Sequence, residues 1–398
     1  MALVVRAVLG AFAVAAALGA FGAGISRREP ALAAVAVIVA FVWGVVAGLV
    51  LLRALPSLPP TTALDRFLVI LLPVALAIEA EAAANWLGGF WLTAERGCVA
   101  LLAVPVLLHG SVWLAGGAPA VVILAAALFL WASWEGISGE VRTSDDRVVA
   151  VVTGLALIVA GLSIAMAGWL KGGLVALPLA GALAGALAAE RIAARGRPES
   201  SDAWPGQAPS GLPGLTAAGL VALFGLVVVG RCFGRLGSAS ALLVLLAPLL
   251  AVIPAAIGRA VPSSGAGRLM RSAPYRIIVA MVPLGIVLWG AKADFDTRMG
   301  RLLGGAPAEN TRRAASTGLE PEGVPAVEFG RNRIGWEVLP IERGNLGNVG
   351  GEEAAEHDRS AGRDPAAEVV DMCPEHRGDD VGEDQVVRSF RRHLVERG

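Results

Sequence analysis

Long apolar runs separated by short polar breaks fill the first three quarters of the chain. A helix needs about 20 mostly apolar residues to cross the roughly 30 Å hydrocarbon layer, and helices satisfy every backbone group internally where no water is present. Residues 2–24, 31–52, 97–116, 119–138, 148–170, 172–190, 213–230, 239–257 and 276–291 meet that length. Gly, Pro, Arg and Asp punctuate the breaks between them. The pattern therefore predicts nine spans directly. The first is read as an uncleaved span, because Arg6 is its one early positive charge and the apolar run exceeds a signal core.

A tenth stretch, 67–89, is long enough to cross but carries Glu79, Glu81 and Asn85 in its second half. A charge at a helix centre costs about 2.5–3.5 kcal/mol on insertion scales. Either this stretch crosses with buried carboxylates, or it is a half-span followed by an interfacial helix; the crossing is preferred. The expected fold is thus all-α: a polytopic transmembrane helical bundle of ten spans, or nine without residues 67–89. Residues 1–292 form the membrane domain, and residues 293–398 a mostly disordered polar tail.

Composition agrees. Hydrophobic residues make up 56% of the chain and charged residues 17%, against about 45–50% and 25% in ordinary soluble domains. A soluble globular enzyme, a collagen-like chain and a disulfide scaffold are excluded. The formal net charge of zero sums two unlike regions: residues 1–292 hold 19 Lys+Arg against 12 Asp+Glu, residues 293–398 hold 14 against 21. The tail is too poor in large apolar side chains to offset the entropy of ordering. Within it, 324–342 has the composition of a short hairpin and 383–397 that of a charged helix. Residues 196–210 read as a flexible polar loop. Lysine occurs only at Lys171 and Lys292 against 31 Arg, a skew that fits a GC-rich bacterial gene, so a bacterial inner membrane is the expected location. Loop charges, with Arg276 counted at the edge of the last span, split 12 to 5 between the two sides with ten spans and with nine, so the positive-inside rule does not choose between them.

No phosphate-binding loop, dinucleotide fingerprint, His-Glu-x-x-His, Cys-x-x-Cys pair or Gly-x-Ser-x-Gly elbow occurs. Cys373 and His376, with His357 and His393, fall short of a four-ligand zinc pattern. No catalytic residue, metal or cofactor is expected. The candidate chemistry is the set of polar residues at membrane depth: Glu79, Glu81, Asn85 and His109. Glu79 and Glu81 point about 200° apart on a helix, whereas Glu81 and Asn85 share a face. Pro73 predicts a kink just ahead of the acidic pair. Glu135, after Trp131 and Trp134, reads as a wet carboxylate beside an interfacial aromatic anchor. Glu79, Glu81 and His109 together suggest a proton- or cation-binding site; against this stands a plain polar contact between helices, or carboxylates in the headgroup layer.

Gly44-x-x-x-Gly48, Gly181-x-x-x-Gly185 and Gly230-x-x-x-Gly234 predict close helix approach. Three functions fit: a small-solute or ion transporter with intramembrane carboxylates, a non-catalytic membrane scaffold or assembly subunit, and a membrane-embedded transferase. The last is disfavoured by short loops. Expected partners are the lipid bilayer, a small solute or ion, and other membrane proteins, with no nucleic acid.

Overall fold

The computed structural model describes residues 2–25, 29–86, 88–111, 114, 120–144, 147–195, 211–260 and 265–302. The expected polar loop at 196–210 and the expected disordered tail beyond residue 302 lie outside the described residues. Every regular element among the described residues is helical: α1 (Ala2–Ile25), α2 (Pro30–Leu52), α3 (Ala63–Ala84), α4 (Gly89–Leu108), α5 (Ala120–Ser144), α6 (Arg147–Met166), α7 (Leu170–Arg195), α8 (Leu212–Phe233), α9 (Ser238–Ala260), α10 (Gly265–Arg271) and α11 (Ala273–Leu302). All but the short α10 are long and apolar enough to cross a membrane. The protein is a polytopic helical membrane protein with ten such helices.

Local chemistry sets the helix ends. α2 opens on Pro30, whose missing N–H costs nothing there, and closes on Arg53 in the left-handed region at φ +54°. The Arg53 and Ala54 amides then donate to the carbonyls of Val50 and Leu49 at 3.0 and 2.9 Å. α3 begins with a capping box in which the Thr62 hydroxyl accepts from the Asp65 amide and Asp65 accepts from the Thr62 amide. Its other end is set by Asn85 at φ +56°, a residue that tolerates the left-handed turn. α4 starts at Gly89, earlier than the apolar window suggests, and ends at His109 before Gly110, which sits at φ +72°. α11 continues to Leu302, supported by a Lys292–Asp296 pair one turn apart.

Proline does not break these helices. Pro105, Pro178, Pro248, Pro254 and Pro283 all lie inside continuous helix. At Pro73 the accommodation is visible: the turn Phe67–Leu71 immediately before it is a π-helix, with the Leu72 amide reaching back to the Phe67 carbonyl. One extra residue per turn absorbs the ring without ending the helix.

α8 is the hub of the bundle. It is buried without interruption from Leu212 to Val227 and touches α2 to α7 and α9. Its sequence allows this, because it carries no charge before Arg231 and its buried Thr216 hydroxyl donates to the Leu212 carbonyl at 2.8 Å. α1, α2 and α7 pack closely on one another. A Cβ on Gly44 would stand 2.7 Å from the Ala11 carbonyl oxygen, and one on Gly181 would stand 2.8 Å from that of Val8. Both small-residue motifs, on α2 and α7, therefore press their backbones against the same α1. Apolar burial gives little drive between helices in lipid, so this close fit carries the packing.

Candidate functional site: a buried guanidinium between two carboxylates

α3, α4 and α5 meet in a charged cluster. Glu79, from the second half of α3, is 1% exposed. Gly214 makes its position possible, since a Cβ there would lie 3.3 Å from the Glu79 Cβ, so α8 passes directly beneath. Arg96, from the first half of α4, is 2% exposed and donates twice to Glu79 Oε1, from Nε at 3.0 Å and Nη2 at 2.7 Å. The Trp134 indole N–H of α5 donates to the same oxygen at 2.7 Å. The Arg96 guanidinium also lies over the Trp134 ring, 5.7 Å from its centroid. Its remaining arm, Nη1, reaches Glu135 Oε2 at 3.2 Å. One cation thus bridges two carboxylates on different helices.

The two carboxylates differ. Glu79 collects three donors on one oxygen, whereas Glu135 is 30% exposed and its buried Oε1 finds no hydrogen-bond partner. Glu95, the residue before Arg96, also has a buried oxygen, Oε2, without a partner. Along the helix axes, Glu79 lies five residues before the end of α3 and Arg96 seven residues after the start of α4, about 8 and 10 Å of rise. The connection between these helices exposes Trp86, and the first turn of α4 exposes Phe90 and Trp91, packed edge to face at 5.6 Å. Exposed aromatic rings of this kind concentrate at the membrane–water boundary.

Of the four candidate site residues Glu79, Glu81, Asn85 and His109, only Glu79 enters this cluster, where it meets Trp134 and Glu135, read from sequence as a boundary anchor and a wet carboxylate. Glu81 is half-buried, and its backbone carbonyl accepts from the Trp86 amide at 3.2 Å. Asn85 is exposed and serves as the left-handed cap. His109 caps the opposite end of α4, thirteen residues or about 20 Å of rise from Arg96. Its carbonyl accepts from Arg66 Nη1. Sequence reasoning missed Arg96, because choosing the most apolar window pushed the fourth span past it. The signal was present: a carboxylate inside one span calls for a cation in the next, and Glu95-Arg96 is the nearest candidate.

A second charged contact joins α5 and α9, where Arg259 donates from both Nη atoms to the Glu140 carboxylate. Among the described residues, no group of three or more His, Cys, Asp or Glu is placed to hold a metal ion. Comparison with family models, with curated proteins and with solved structures gives no match.

Proposed function

We propose that the chain is a transporter of the bacterial inner membrane that couples a proton or small cation to movement of a small solute, with Glu135 as the group that binds and releases the ion. The observation that carries this reading is the charge count of the cluster. Arg96 neutralises one carboxylate, and Glu79, with three donors on a single oxygen, takes most of it. Glu135 is left with a single bond to Arg96 and an unpartnered oxygen. An uncompensated negative charge at membrane depth is costly, so a proton or cation is the natural complement. Exposure on the Glu135 side gives that ion a route which Glu79 lacks.

The test is ion flux in vesicles. The natural protein should move protons or sodium, read with an entrapped pH dye or with labelled sodium, and Glu135→Gln should abolish that flux. Flux that is unchanged in Glu135→Gln overturns the reading.

The second reading, a non-catalytic scaffold, is favoured by one feature. Glu79 Oε1 gathers donors from two other helices, which is what a structural tie between α3, α4 and α5 requires. On that reading Glu135→Gln leaves ion binding and growth unaltered, while Glu79→Gln loosens the bundle.

A further inference from the structure

The outer surface of the bundle carries a groove between α2 and α3 of about 410 Å³. Its floor is made by buried Ile38, Val45, Leu49, Leu68, Leu72 and Leu76, and exposed Val39, Val46, Pro73 and Ala77 form its rim. No lining residue is polar. The π-turn and Pro73 lie on the α3 wall, where they shape the surface beside α2. From Ile38 to Leu49 the groove follows α2 for eleven residues, about 16 Å of rise, which is half of the roughly 30 Å hydrocarbon layer and so the depth of one leaflet.

The groove ends at Leu55 and Pro56, just beyond the last turn of α2. Arg53 stands there. It is exposed, and among the described residues its guanidinium makes no hydrogen bond or ion pair. It also holds φ +54°, a backbone conformation that glycine adopts more readily than any residue with a side chain. The one nearby carboxylate on α3, Asp65, is already engaged: it accepts from the Ser57 hydroxyl at 2.7 Å and the Thr62 hydroxyl at 2.8 Å, as well as from both their amides. Those bonds fix the 57–62 turn that follows Leu55 and Pro56.

We infer that this groove is a lipid site, holding one acyl chain of an anionic phospholipid with its phosphate on Arg53. An apolar slot one leaflet deep matches the chain, and a free cation at its polar end matches the phosphate. The site is independent of the carboxylate cluster and stands whether or not the chain moves ions.

Photocrosslinking tests it. The full chain is placed in vesicles doped with phosphatidylglycerol bearing a diazirine near the acyl terminus. Adducts should concentrate on α2 and α3 peptides that line the groove. Val46→Trp, at a rim position that tolerates bulk, should remove most of them, while Val50→Trp, equally exposed on α2 but outside the groove, should not. Arg53→Gln should cut the yield about fivefold with phosphatidylglycerol, and should not change it with a diazirine diacylglycerol that has no phosphate. Melting temperature in detergent identifies any variant that fails to fold, in which case Val39→Trp replaces Val46→Trp. Adducts spread evenly over all lipid-facing helices overturn the proposal. So does a disulfide-linked dimer formed through Val46→Cys, which would mean that a second copy covers the groove.

Discussion

At the scale of single residues, the Glu79–Arg96 pair has an energetic asymmetry that can be measured. Removing one partner of a buried ion pair leaves an uncompensated charge and costs about 3–5 kcal/mol, whereas removing both is far cheaper. Neither side chain reaches solvent, so screening does not soften this. Arg96→Gln should therefore destabilise the protein by about that amount in detergent unfolding, because Glu79 would lose both guanidinium donors from Arg96. The double variant Glu79→Gln/Arg96→Gln should lose much less than the sum of the two single losses. An additive result would mean that the pair is not coupled. The sequence made Glu79 legible as a costly residue but not the remedy for its cost. Arg96 and Glu135 are distant in the chain and each looked like a span-end charge, and the three meet only because α3, α4 and α5 converge on one face of α8.

At the scale of helices, the contacts that matter are those where backbone meets backbone. Gly44→Leu and Gly181→Leu each drive a side chain into α1, against the Ala11 and Val8 carbonyls, and should cost about 1–3 kcal/mol as overpacking does. Gly285→Leu on α11, where a Cβ meets nothing within 4 Å, should be neutral by the same melting assay. Most helix positions could be read from the apolar runs, since length and hydropathy alone set what crosses. What the runs concealed was the ends. α4 begins before its most apolar window because the charge of Arg96 is paired inside the protein, and α3 runs through Pro73 because one π-turn takes up the ring. Small-residue spacing correctly pointed to close approach, but in a chain with 50 Gly it could not say that two of the motifs share α1 as partner.

At the scale of the molecule, ten crossings place both ends of the bundle on one side of the membrane. With Cys98, Cys232 and Cys373 replaced by Ser, Leu58→Cys and Asp294→Cys should react with an impermeant thiol reagent from the same side. Trp86→Cys should react from the other, and labelling of Trp86→Cys from the same side as Leu58→Cys, with Asp294→Cys opposite, would refute the ten-span topology. The number of spans depended on residues 67–89, which hydropathy alone left open between a crossing and a half-span. α3 has the length and apolar content of a crossing helix once its carboxylate is paired within the bundle.

The helix that every neighbour leans on is also among the last to be made. α8 begins at Leu212, so seven membrane segments leave the ribosome before the segment that fills the space between them exists. Until then Phe67, Ile38 and Leu183, each within reach of a side chain placed on an α8 glycine in the finished protein, lack that neighbour. Assembly of this protein is therefore a matter of timing. A late arrival must complete what the early segments have begun, and a nascent chain halted before residue 212 should be far more open to membrane proteolysis than one halted after residue 233.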